Sequence, residues 1–365
     1  MLSSIKARLR NRRFYAQLAR LKQTANDLKL RVRRGPPASR DRSAVRSWCA
    51  QLWRSTAVLC DGTVVCGCQD TLASMRLGNV ERDAFEKIWN GKPYRRLRRR
   101  VLYDPMGVHL CRNCVFRRHV KNSEIDYARR DETAQQMPEA LWIEPTVLCN
   151  LGCPGCGREL IAASRKRRTM PFETYKSVLD QLGPGLRLLF FYDYGESFLH
   201  PRAVDMLRYA RTVNETMLIH CSTNGIPLRD ERKQREVIET GADELLFSVD
   251  GASQEIYERY RVGGDFQTVL NVMESMVRLR NSLGLDKPRI IWRYILFRWN
   301  DSDEEMDRAR RLAQDIGVDS FSWLLTTHPP EMYSRRFAHG RPELDRIDHE
   351  LFRWQDPTID PMYGT

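Results

Sequence analysis

The sequence predicts an α/β fold on a parallel sheet, open or curled into a barrel, behind a small cysteine-rich segment and a basic arm. Three observations carry this. From Leu141 onward, apolar strand-like runs alternate with helix-like runs. Glycines stand where the helical runs end. The ten cysteines gather in two groups rather than spreading along the chain.

In chain order, residues 1–30 place Leu2, Ile5, Leu9, Phe14, Leu18, Leu21 and Leu28 at spacings that suit a basic amphipathic helix. Residues 33–40, RRGPPASR, read as a break. Residues 45–120 read as short strands and turns, with Asp61-Gly62 between TAVLC and TVVCGC. Residues 79–90 read as a turn and a helix, ended by Gly91-Lys92-Pro93. Strands are expected at 141–147, 186–193, 216–222, 244–250, 289–296 and 320–325. Helices are expected at 171–183, 201–213, 228–241, 265–284 and 301–317, with Gly183, Gly241, Gly284 and Gly317 as left-handed caps. Strand, helix and parallel strand in succession form right-handed crossover units.

Of the 365 residues, 42% are apolar and 29% charged, enough to bury a core and too balanced for a disordered chain. No run approaches the roughly 18 apolar residues of a membrane-spanning helix. The opening MLSSIKARLRNRR is charged throughout and is no secretory signal. An integral membrane protein is thereby excluded and secretion disfavoured, and the expected location is the cytoplasm. The net charge of +13 is uneven: residues 1–42 hold 13 Lys or Arg against Asp27 and Asp41, so +11 resides there. The remainder is near neutral and does not read as a nucleic-acid binder.

Cys149, Cys153 and Cys156 lie within eight residues, on a loop after an expected strand. Three thiolates so placed can close around one metal centre. A structural zinc would need a distant fourth ligand. An iron–sulfur cluster held by three thiolates keeps one position open for a substrate or cofactor. Further polar motifs follow the next strands in order: Tyr194-Gly195-Glu196-Ser197, Ser222-Thr223-Asn224-Gly225, Ser248-Val249-Asp250-Gly251, Arg261 in YERYRVGG, and Asn300. Strand C-terminal ends are where parallel α/β folds place their sites.

In these motifs residues 138–326 resemble the radical SAM superfamily. The resemblance implies a partial (β/α)6 TIM-type barrel, with a 4Fe–4S cluster on Cys149, Cys153 and Cys156. It implies S-adenosylmethionine beside Gly195, Glu196, Ser222, Asn224, Ser248, Asp250, Arg261 and Asn300. Glu196 suits an ammonium group, and Arg261 can grip a carboxylate at two points. Tyr194 stands where the family has a glycine.

A second set comprises Cys49, Cys60, Cys66, Cys68, Cys111 and Cys114. With the segments around Asp61-Gly62, Leu77-Gly78-Asn79 and Ile88-Trp89-Asn90, residues 43–125 resemble a SPASM domain, here placed before the barrel. The resemblance implies one auxiliary iron–sulfur cluster on Cys49, Cys66, Cys111 and Cys114, with Cys60 or Cys68 able to replace the first two. Four thiolates suit a structural zinc as well. Cys221, inside the third strand, reads as a buried core thiol, or else as a hydrogen-atom donor to a substrate radical.

The expected enzyme cleaves S-adenosylmethionine reductively to a deoxyadenosyl radical and takes a hydrogen atom from a small molecule, a glycan or a peptide. An auxiliary cluster suits a dehydrogenase-type oxidoreductase. A redox-neutral epimerase and a peptide-modifying maturase are the alternatives within that class. A non-enzymatic metal-binding scaffold acting through its basic arm is the alternative outside it. Expected partners are an electron donor such as flavodoxin or ferredoxin, and a protein or membrane surface at residues 1–34. With only Phe14 and Tyr15 as aromatics, the arm is not expected to bind nucleic acid. Residues 94–100, YRRLRRR, read as a solvated helix face, and residues 327–365 as a tail.

Overall fold

The computed structural model describes residues 43–347 except 44, 68–69, 115, 122, 124–131, 327–328 and 339–340. The basic arm, Cys68 and the end of the tail lie outside the described residues. The cysteine-rich part contains β1 (Val45–Trp48), α1 (Gln51–Arg54), β2 (Ser55–Val58), β3 (Thr63–Val65), β4 (Gly78–Asn79), α2 (Phe85–Trp89), α3 (Lys92–Tyr103) and β5 (Arg118–Lys121). Then come β6 (Ala140–Ile143), α4 (Arg158–Ser164), α5 (Phe172–Leu182), β7 (Leu188–Phe191), α6 (Ala203–Val213), β8 (Leu218–Thr223) and α7 (Glu231–Ile238). The chain continues through β9 (Glu244–Ser248), α8 (Gln254–Glu258), α9 (Phe266–Ser282), β10 (Arg289–Leu296), α10 (Asp303–Ile316) and β11 (Ser320–Leu325).

Strands β6 to β11 pair in chain order, every pair parallel. A sheet wound in one direction by right-handed crossovers carries its helices on one face and curls with the other face inward. The result is the six-stranded partial barrel. Cross-strand partners share a face, which separates two layers. Phe191, Cys221 and Leu245 stand in register on one face and belong to the large core that includes α5, α6 and α9. On the other, inner face, Trp142, Phe190, His220 and Glu244 form one row, and Ser248, Arg293 and Ser322 another.

The expected boundary between residues 125 and 138 does not divide the sheet. Strand β2 pairs in parallel with β6, Ala57 opposite Trp142, and the antiparallel β3 and β4 extend it to nine strands. Of the expected glycine caps, Gly241, Gly284 and Gly317 have positive φ, whereas Gly183 is right-handed. A Cβ on Gly183 would come within 2.4 Å of Val213, so close packing explains that glycine.

The basic run at 94–100 lies on α3 but is only partly solvated. Arg98 is buried, its guanidinium 4.4 Å from the Trp89 ring centroid and 4.9 Å from that of Tyr94. It donates from Nε to the Leu52 carbonyl at 2.9 Å. Burying a guanidinium requires such partners. Arg100 is buried as well. Among the described residues, no helix is long and apolar enough to cross a membrane.

Candidate active site

The loop following β6 carries Cys149, Cys153 and Cys156 at the C-terminal end of the sheet. Arg158, at the start of α4, donates from Nη1 to the carbonyls of Cys149 (2.7 Å) and Leu151 (2.8 Å). The Gly152 N–H donates to the Val262 carbonyl at 2.9 Å, joining this loop to the one with Arg261. The Leu151 N–H donates to the Cys149 sulfur at 3.5 Å. Arg261 directs Nη1 to the Cys153 sulfur at 3.8 Å, and Asn224 directs Nδ2 to the Cys149 sulfur at 3.9 Å. Burial, followed by repulsion from Cys153 and Cys149, pushes the Cys156 thiol up to about 11. Burial also raises Cys149. Three neighbouring sulfurs, two of them faced by N–H donors, fit a group that turns thiols into thiolates, as an iron–sulfur cluster does.

The other expected contacts divide into two kinds. Ser222 and Ser248 stand half-buried on the inner face, and Asn224 and Arg261 reach the cysteine loop. Glu196, Asp250 and Asn300 are buried and hydrogen-bonded within the protein. Glu196 accepts hydrogen bonds from the Thr223 hydroxyl (2.9 Å), the Phe198 N–H (3.2 Å) and the Asn224 N–H (2.7 Å). It thereby holds the loop that presents Asn224. Asp250 accepts from Arg261 Nε at 2.6 Å and from the Ile295 N–H at 2.7 Å, fixing the guanidinium. Asn300 is fully buried and donates both amide hydrogens, to the Asp250 and Ile295 carbonyls at 3.0 Å each. Its oxygen accepts from the Phe297 N–H at 2.6 Å. No donor remains on Asn300 for a ligand, so its part is to close the end of β10. Gly195 has φ +96, and a Cβ there would lie 2.2 Å from the Thr146 carbonyl oxygen. Its close approach is to the chain beyond β6.

The second cysteine set assembles through two pairings. The β1–β5 ribbon sets Trp48 opposite Arg118, bringing Cys49 toward the Cys111–Cys114 segment. The β2–β3 hairpin returns Cys66 to the start of β2, just beyond α1. Burial raises all four thiols. Repulsion from Cys114 and Cys111 adds to this at Cys49, and repulsion from Asp70, then Cys111, Cys114 and Cys49, adds to it at Cys66. Cys111 is pushed up to about 12. Backbone N–H groups of Gln51 and Leu52 face the Cys49 sulfur, and those of Phe116 and Arg117 face the Cys114 sulfur. Cys49 and Cys66 each lie within electrostatic reach of Cys111 and Cys114, a donor set of the type that holds an iron–sulfur cluster. Among the described residues, no three His, Cys, Asp or Glu side chains are drawn together tightly enough to hold a single metal ion.

Cys60 is not in this set, which removes it as a replacement ligand. It is fully buried beside Glu144, and its thiol donates to the Arg167 carbonyl at 3.1 Å. Cys221 sits on the helix-facing side of β8, where only the core-thiol reading fits.

Sequence reasoning missed Arg158, Asp193 and the fully buried Glu144–Arg165 pair, which meet at 2.8 Å through both carboxylate oxygens. A signal existed for two of them. Glu144 interrupts, and Asp193 ends, an otherwise apolar strand run.

The radical SAM superfamily model matches residues 143–306, and the SPASM model, an iron–sulfur cluster-binding domain, matches residues 49–115. A "tungsten-containing aldehyde ferredoxin oxidoreductase cofactor-modifying protein" of Pyrococcus furiosus is 26% identical over 220 residues, 58% of this chain and 59% of that protein. A GTP 3',8-cyclase of Chlorobaculum tepidum is 27% identical over 135 residues, 37% of this chain and 40% of that protein. The chain thus spans less than two thirds of either relative. The crystal structure of Streptococcus suis SuiB overlays with a TM-score of 0.45 at 14% identity, covering 63% of this chain and 48% of that one. The two matched domains imply 4Fe–4S clusters and S-adenosylmethionine.

Proposed function

We propose that this chain, which carries a radical SAM domain and an iron–sulfur cluster-binding SPASM domain, is a dehydrogenase-type oxidoreductase. When bound, the cluster and S-adenosylmethionine supply one electron to the sulfonium and a deoxyadenosyl radical that takes a hydrogen atom from substrate. Cys149, Cys153 and Cys156 would hold the cluster, and Arg158 and Gly152 fix their loop. Arg261, aimed by Asp250, presents a fixed cation beside Cys153 for the cofactor carboxylate. Glu196 keeps Asn224 in place beside Cys149.

One observation supports the dehydrogenase reading: Cys49 and Cys66 each lie within electrostatic reach of Cys111 and Cys114, while Cys60 lies apart beside Glu144. A second cluster there would accept the second electron. A redox-neutral epimerase needs a hydrogen-atom donor at its substrate, and Cys221 faces the helices instead. The inner face offers Ser222, Ser248 and Arg293, and the Ser322 hydroxyl is buried with no hydrogen-bond partner among the described residues. That lining suits a substrate rich in hydroxyl or amine groups, such as a sugar, an aminocyclitol or a peptide. A flavodoxin or ferredoxin would serve as electron donor.

Metal analysis tests the reading. Anaerobically prepared protein should contain more iron than one 4Fe–4S cluster holds, and the Cys149→Ala, Cys153→Ala, Cys156→Ala triple variant should keep the remainder. Zinc without iron in the triple variant would make the second site structural and end the dehydrogenase reading.

A further inference from the structure

Of the six large apolar side chains that stand exposed among the described residues, three surround the Cys149 loop: Leu148, Leu199 and Val262. Each is tied to that loop or to the chain beside it. Leu148 immediately precedes Cys149, and its carbonyl accepts from the Glu196 N–H at 2.8 Å. The Leu199 N–H donates to the Glu196 carbonyl at 3.0 Å, and the Val262 carbonyl accepts from the Gly152 N–H. The cysteine loop itself reaches the surface here, with Gly152, Pro154 and Gly157 exposed. Apolar side chains exposed together around a site mark a contact surface.

Cations border this rim. The segment 164–168 meets the chain just before Cys149, because the Arg168 carbonyl accepts from the Val147 N–H at 2.9 Å. Arg76 donates from Nη2 to the Ser164 carbonyl at 3.1 Å and so joins the same segment. Arg76, Lys166 and Arg168 are all exposed. Among the described residues none of the three pairs with a carboxylate, whereas Arg165 and Arg167 pair with Glu144 and Glu81. Residues 158–168 hold five Lys or Arg against Glu159 alone, so the border is basic even after those pairings.

We propose that this face, the rim of Leu148, Leu199 and Val262 with Arg76, Lys166 and Arg168 beside it, seats a small acidic protein that delivers one electron to the centre at the Cys149 loop. This deepens the reading of that loop as a cluster site fed by an electron donor, and rests on it. Charge and place together select the occupant. Carboxylates on the partner complement the three unpaired cations and speed its encounter. The apolar side chains give the contact a core that excludes water. The seat adjoins the exposed cysteine loop, where an electron has to enter. The step moves one electron and breaks no bond: the carrier is oxidised by one electron and the iron–sulfur centre is reduced by one.

The test uses anaerobically reconstituted full-length protein and two readouts. In the first, calorimetric titration measures binding of an acidic flavodoxin, an acidic ferredoxin and a glutamate-rich peptide of the same net charge. At least one of the two carriers should bind, more tightly than the peptide, and with an affinity that falls as salt rises. The Arg76→Glu, Lys166→Glu, Arg168→Glu triple variant should weaken that binding about tenfold at low salt, with iron content retained. The same reversal at exposed Arg278, Arg308 and Arg311, on the helical exterior, should leave it unchanged. Leu199→Ser should weaken it at every salt concentration. In the second readout, the basic-border variant should form deoxyadenosine about tenfold more slowly with the reduced carrier, and at the parental rate with reduced methyl viologen. Binding of neither carrier, a peptide that binds as tightly, a triple variant that binds like the parent, or an equal loss in the helical-exterior variant would overturn the proposal. Deoxyadenosine formed by the parent with methyl viologen tests the cluster reading separately, so either can fail alone.

Discussion

Arg261 shows how single residues divide the work. Its Nε is fixed on Asp250 at 2.6 Å, while Nη1 faces the Cys153 sulfur. A guanidinium held by one edge offers the other to a ligand without much further loss of side-chain entropy. Arg261→Ala should weaken S-adenosylmethionine binding by roughly 1.5–3 kcal/mol, the range of a lost charge-assisted hydrogen bond. Anaerobic equilibrium binding checks this, with iron content retained. An unchanged affinity would make Arg261 a partner of Asp250 and nothing more. The cysteine triplet and Arg261 were legible because their residue types and spacing are themselves the signal. Glu196 and Asn300 were legible as positions, but their roles were not. Sequence cannot tell whether a polar strand-end residue faces a ligand or the backbone of its own neighbours.

At the scale of elements, the segment after α4 binds the two halves of the molecule together. Arg165 reaches the Thr71 carbonyl, the Lys166 N–H donates to Asp61, and Arg167 pairs with Glu81 at 2.6 Å. The Arg165–Glu144 pair at its centre has both side chains fully buried. Removing one partner leaves a charge stranded away from water. Arg165→Ala should lower the unfolding free energy by about 3–5 kcal/mol, measured by denaturant titration. The Glu144→Gln, Arg165→Met double variant should recover part of it, since neither charge then remains. A loss under 1 kcal/mol would mean that water reaches the pair. Periodicity gave the barrel strands and most of their helices to within a few residues, because each buries a regular face. It gave no hint of this clamp, whose partners lie 21 to 105 residues apart.

Over the whole molecule, the nine-stranded sheet explains why a cysteine-rich segment placed before the barrel can still serve it. Pairing of β2 with β6 sets Ala57 beside Trp142, and Phe116, just past Cys114, meets the Trp142 ring edge-on at 5.8 Å between centroids. Phe116 thus joins the segment after Cys114 to the inner face of the barrel, while Cys49, Cys66 and Cys111 pack against the large core shared with the helices. Composition announced two cysteine groups, and only the register of β1–β5 and β2–β3 selects Cys66 over Cys60. The central claim is that Cys149, Cys153 and Cys156 hold the centre at which S-adenosylmethionine reacts. Its most direct test is to incubate reconstituted protein anaerobically with S-adenosylmethionine and a one-electron reductant, and to measure deoxyadenosine by chromatography. The parent should form it, and Cys149→Ala, Cys153→Ala and Cys156→Ala should each abolish it, since three thiolates leave no spare ligand. Deoxyadenosine at the parental rate from any one of these variants would contradict the account.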